Sequence, residues 1–120
     1  MDTFSVTLTE KAFADLEELS HYLHMQLADP ETVKQQQERI KQACLSLAQL
    51  PMRYALVPDG YLRKQGVRFF PIDTYLVFYV VNPSEHKVYI LRILYSRRDW
   101  QILLSSTTSI LPQTEPIQDI

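Results

Sequence analysis

An α+β domain, with two helices stacked on one face of a four-stranded sheet, is the fold this sequence predicts, and three observations carry it. Residues 4–8 alternate apolar and polar side chains. Between residues 9 and 50 two stretches repeat apolar residues every three or four positions, and residues 66–95 hold three β-branched and aromatic runs divided by turn formers. Strand, helix, helix and three strands in that order place a helical hairpin against a mostly antiparallel sheet, mixed where the N-terminal strand joins it.

The first strand is read from Phe4, Val6 and Leu8 facing one way and Ser5 and Thr7 the other. Thr9 then caps a helix of about five turns whose apolar set is Ala12, Phe13, Leu16, Leu19, Tyr22, Leu23 and Leu27. Asp29-Pro30-Glu31 starts the second helix with an N-cap, a proline at the first helical position and an acid at the positive dipole end. Val33, Ile40, Cys44, Leu47 and Leu50 form its apolar face, and Pro51 is expected to end it. Residues 52–60 read as a loop, 66–70 as a short strand ended by Pro71, and 75–81 as a central strand. Turn formers at residues 82–86 lead into a strand over 88–95, completing a hairpin, and residues 98–104 suit a short terminal helix. Residues 1–104 are thus one domain and 105–120 a tail, either disordered or packed along the surface.

Composition removes several classes of function. The chain has 120 residues, 46% of them hydrophobic, and its longest uninterrupted apolar run, residues 75–81, is far shorter than the ~18 residues of a membrane span. No membrane partner is expected. One cysteine forms no internal disulfide, so a cytoplasmic protein is the default, and three His with one Cys give no four-ligand zinc set. Neither a metal nor a cofactor is expected.

The net charge of −2 hides a segregation: residues 1–50 carry eight acids and four bases, residues 51–104 eight bases and four acids. Six of those eight bases are arginine. Two surfaces with different jobs, or a coincidence of solvated charges, account for it equally well.

Arg92 is the odd residue in the last strand, on a face with Val88, Ile90 and Leu94 by alternation, and it needs either a carboxylate such as Asp73 or Asp99 or a face that looks onto solvent or ligand. The densest polar group is Tyr95-Ser96-Arg97-Arg98-Asp99-Trp100, where arginine forks suit phosphate or carboxylate and the aromatics suit stacking. Its plainer reading is a helix start in which Asp99 caps and Trp100 joins the core. Tyr75, Tyr79, Tyr89 and Tyr95 read as core with a polar tip, His21 and His24 as a surface pair, His86 as a turn residue, and Cys44 as core. No phosphate-binding glycine loop or nucleophile elbow is present.

Over residues 3–104 the chain resembles the RelE/ParE toxins of bacterial type II toxin–antitoxin modules. The resemblance lies in Leu8-Thr9-Glu10-Lys11-Ala12 with Asp15-Leu16, in residues 75–81, and above all in residues 88–100 with Ser96-Arg97-Arg98-Asp99. It implies the fold above and one of two activities. RelE-type members cleave messenger RNA on the ribosome; Arg97 matches their phosphate-binding arginine and Arg68 the place of a catalytic lysine. Tyr75 stands where a second arginine is expected, and Leu103 or Leu104 where a tyrosine acts as acid. ParE-type members lack that set and inhibit DNA gyrase by protein contact, which these departures favour. A cognate antitoxin is implied as partner, its acids contacting Arg63, Arg68, Arg92, Arg97 or Arg98. A non-toxic binding module, and a homodimer or a hetero-oligomer with the antitoxin, stay open.

Overall fold

β1 (Ser5–Leu8) runs into α1 (Glu10–Leu27) through Thr9 in the computed structural model, which describes residues 3–27, 29–105 and 118–119. The Thr9 hydroxyl accepts the Ala12 N–H at 3.3 Å and donates to the Ile90 carbonyl at 2.9 Å, so one side chain both caps the helix and ties it to the sheet. α2 (Pro30–Leu45) begins as its sequence dictates: Asp29 accepts the Glu31 N–H at 3.2 Å and the Thr32 hydroxyl at 2.7 Å.

The end of α2 differs from expectation. The α-helix stops at Leu45, Ser46–Ala48 tightens into a 3-10 turn, and Leu47 stays buried while Leu50 leaves the apolar face altogether. Pro51 therefore starts the connection to the sheet instead of ending the helix. A second departure follows, because Asp59 caps a short helix, α3 (Gly60–Lys64), by accepting the Leu62 N–H at 3.1 Å. Gly66 at φ 83° then turns the chain into β2 (Arg68–Ile72). Pro71 lies within β2, tolerated there because β2 is the outermost strand.

β3 (Tyr75–Asn82) and β4 (Lys87–Tyr95) form the hairpin, and α4 (Trp100–Ser105) follows. The sheet order is β2-β3-β4-β1-β5, with β1 parallel to β4 and the other pairings antiparallel. β5 (Gln118–Asp119) is two residues that pair with Leu8 and Thr7. The rest of the expected tail, residues 106–117 and 120, lies outside the described residues.

α1 and α2 cover one face of the sheet, where Leu16, Leu19, Ile40 and Cys44 cluster with Val77, Tyr79, Val88, Ile90 and Ile93. The other face is also covered: Leu62 of α3 and Leu104 of α4 pack with Val57, Val67, Phe78, Val80, Leu91 and Leu94. A six-residue helix is not stable alone, and α4 is held by the fully buried Leu104 and by Trp100, whose ring centroid lies 5.3 Å from that of Phe78. No helix among the described residues is long and apolar enough to cross a membrane.

Burial pushes the Cys44 thiol up to about 12. The folded chain at pH 8 is expected to resist iodoacetamide and to react fully only in denaturant. Native labelling at the rate of a free thiol would contradict this placement.

Candidate functional site

Alternation along β4 breaks at one point. Phe78 lies opposite Arg92 and Tyr79 opposite Ile90, so Leu91 is an extra residue and the register shifts there. Beyond this bulge the faces exchange: Ile93 joins Val88 and Ile90 on the helix side, while Leu94 packs with Leu91 on the other. The expectation that Arg92 shares a face with Val88, Ile90 and Leu94 is therefore corrected.

Its partner is corrected too. Arg92 forms a two-pronged pair with Asp15 of α1, Nε to Oδ2 at 2.8 Å and Nη2 to Oδ1 at 2.9 Å. The Ile93 N–H donates to the same carboxylate at 2.9 Å. β1 ends at Leu8, opposite Ile90, so the edge of β4 beyond it has no strand neighbour and Asp15 satisfies it instead. The hydrogen bond to Asp15 holds the Arg92 guanidinium above its ordinary pKa, against the opposing effect of burial. With 12% of its side chain exposed and both prongs on Asp15, Arg92 ties β4 to α1. Asp73 is engaged elsewhere: from the β2–β3 turn it accepts from Gln36 at 2.6 Å and pairs with Arg39 of α2. Asp99 accepts the Ile102 N–H at 3.4 Å, the capping role expected of it.

Arg68 shares a face with Phe70, and its Nη1 donates to the Met52 and Tyr54 carbonyls at 3.2 and 2.6 Å. Tyr79 lies opposite it, and its hydroxyl donates to the Pro51 carbonyl at 2.6 Å. Burial pushes the Tyr79 phenol up to about 12, opposed by the nearby charges of Arg68 and Arg53. Arg63 is exposed on α3.

Arg97 and Arg98 are exposed where the chain leaves β4, and among the described residues neither side chain is in an ion pair. Arg98 lines a groove of about 480 Å³ together with the acids Asp15 and Glu18, the apolar Leu19, Ile93 and Leu94, and Thr74, Tyr75 and Tyr95. Two tyrosine rings, Tyr75 and Tyr95, form its wall with centroids 6.0 Å apart. Arg68 and Arg97 do not converge. The β3 residue opposite Arg68 is Tyr79 and the one opposite Tyr95 is Tyr75, four positions or about 13 Å along the strand. At the helical end, Leu104 is fully buried in the core. His21 and His86 are exposed, and His24 lies outside the described side chains. No group of three or more His, Cys, Asp and Glu among the described residues is arranged to hold a metal.

Residues 6–100 match the family model described as ParE toxin of type II toxin-antitoxin system, parDE. The chain belongs to the ParE toxin family. Its fold is similar to the chromosomal ParDE toxin–antitoxin system of P. aeruginosa, with a TM-score of 0.64 and 24% identity over 79% of this chain and 98% of that one. It is also similar to the RelBE2 toxin–antitoxin complex of Mycobacterium tuberculosis, with a TM-score of 0.56 and 20% identity over 78% and 98% of the two chains. No curated protein matches the chain significantly. The ParE match spans α1 with its Asp15. An acid between Ala12, Leu16 and Leu19 on an apolar helix face was the available signal for a buried cation partner.

Proposed function

We propose that this ParE-family chain arrests bacterial growth in the cytoplasm by gripping DNA gyrase, and that a cognate antitoxin neutralises it by covering the same surface. The observation that carries this reading is the pair of exposed guanidiniums, Arg97 and Arg98, the second of which lines an open groove with tyrosine walls. Fork-shaped donors without internal acids suit the carboxylates of a protein partner, and aromatic walls suit its apolar side chains. An antitoxin segment that folds on binding would occupy the groove and leave no room for gyrase.

Messenger RNA cleavage is the less favoured activity for a chemical reason. In-line attack by a ribose hydroxyl needs a base, an acid and a phosphate clamp within a few ångströms. Arg68 stands at the far end of β2, about 13 Å along the strand from the residue opposite Tyr95, and Leu104 is turned into the core where an acid would be required. Induced expression is expected to stop growth with a DNA-damage response, and co-expression of the antitoxin to restore it. Messenger RNA cut at ribosomal A-site codons would replace gyrase with the ribosome as target, and unimpaired growth would point to a non-toxic binding module.

A further inference from the structure

The connection between α2 and β2 holds a combination that folding does not account for. Leu50 is 69% exposed and sits at φ 48°, a left-handed conformation that costs a residue with a Cβ roughly 1–2 kcal/mol. Met52, two residues on, is 50% exposed. Two arginines are fixed on the same short segment. Arg53 Nη1 donates to the carbonyls of Ser46, Gln49 and Leu50 at 3.2, 2.7 and 3.3 Å, and Arg68 Nη1 to those of Met52 and Tyr54 at 3.2 and 2.6 Å. Arg53 Nη2 also donates to the Ser46 hydroxyl at 2.8 Å, and its guanidinium carbon lies 4.8 Å from the Tyr54 ring centroid. Both arginines are thus held by neutral groups, and among the described residues neither meets a carboxylate. The Nε–H and Nη2 donors of Arg68 enter no hydrogen bond with a described residue.

The local sequence offers no acid to compensate them: residues 39–58 contain Arg39, Lys41 and Arg53 but no Asp or Glu. Guanidiniums already fixed in place lose little side-chain entropy on meeting a partner, which favours their use as anchors. Exposed aliphatic side chains between them contribute nothing to holding phosphates and contribute directly to holding a peptide.

We propose that Leu50, Met52, Arg53 and Arg68 form a second docking surface, at the other end of β2 from Arg97 and Arg98, that takes an acidic antitoxin segment carrying apolar side chains beside its carboxylates. This rests on the reading of the chain as an antitoxin-neutralised toxin. Occupancy of both ends would let one extended segment of the antitoxin embrace β2 and the groove together, gaining affinity through linkage.

The test is Leu50→Asp and Met52→Asp, made separately in the full chain. Aspartate tolerates a left-handed φ better than leucine does, so Leu50→Asp is expected to leave the melting temperature unchanged or slightly raised. Titration with the purified product of the adjacent small antitoxin gene should show each variant binding at least about tenfold more weakly than wild type, the equivalent of about 1.4 kcal/mol. In cells each should still arrest growth but be poorly rescued by the antitoxin. Binding and rescue within twofold of wild type would overturn the proposal. Loss of growth arrest with unchanged antitoxin binding would assign the surface to the cellular target and also overturn it. A wild-type chain that neither arrests growth nor forms the complex would instead defeat the toxin reading on which the proposal stands.

Discussion

Replacing Asp15 by alanine is expected to destabilise the fold by about 3–5 kcal/mol, lowering the melting temperature by roughly 10–20 °C. One carboxylate serves three donors, the Nε and Nη2 of Arg92 and the Ile93 N–H. Its loss leaves a guanidinium that is largely shielded from water without a counter-charge, and leaves a backbone donor on the β4 edge without an acceptor. Asp15→Asn keeps an oxygen for Ile93 but not the charge, so it should fall between alanine and wild type. Asp15→Leu combined with Arg92→Met should recover most of the stability, because a buried ion pair replaced by apolar volume is often neutral. Urea denaturation of the four proteins checks the series. A cost below about 1 kcal/mol for Asp15→Ala would mean that the pair is solvated like a surface ion pair.

The double charge reversal Arg97→Glu with Arg98→Glu carries the largest expected effect on function. Close charge pairs across protein interfaces couple by about 1.5 kcal/mol or more each, so losing two and replacing them with repulsion should weaken antitoxin binding by about 100-fold or more. Growth arrest should be lost in the same variant, because target and antitoxin are read as sharing this surface. Stability is expected to hold, since both side chains are exposed and neither forms an ion pair among the described residues. Retained arrest with lost antitoxin binding would show that the two partners use different surfaces.

Much of the architecture is legible in the sequence because its local signals agree with one another. Asp29-Pro30-Glu31 marks the start of α2 by cap, ring geometry and dipole at once, and residues 75–81 are too apolar and β-branched to be other than a covered strand. The departures from the expected elements trace mostly to how the strands and short helices pack together, which local patterning does not display. Leu91 bulges because the β3–β4 register shifts, a feature that period-2 counting passes over, and the shift moves Leu94 to the opposite face. Pro71 stays in β2 because β2 is an edge strand of the sheet, bridged on its outer side at Arg68 by Leu56 and not at Pro71 among the described residues. Gly60 begins a helix because Asp59 caps it and Leu62 finds a buried place against the sheet's second face.

The same limit governs the site. Arginine content and the run at residues 95–100 were visible, but which guanidiniums remain available depends on partners tens of residues away. Asp15 removes Arg92 across 77 positions, and the Met52 and Tyr54 carbonyls restrain Arg68. Nothing local distinguishes Arg53 from a solvated charge, whereas the fold fixes it on the Ser46 and Gln49 carbonyls just past α2.

The most direct measurement is DNA supercoiling by purified gyrase in the presence of purified toxin, compared with the Arg97→Glu/Arg98→Glu variant after both are shown to melt at the same temperature. Inhibition by the wild-type chain, its relief by added antitoxin and its loss in the variant are the predicted results. Equal inhibition by wild type and variant would contradict the assignment of this surface, and supercoiling untouched by the wild-type chain would contradict gyrase as its target.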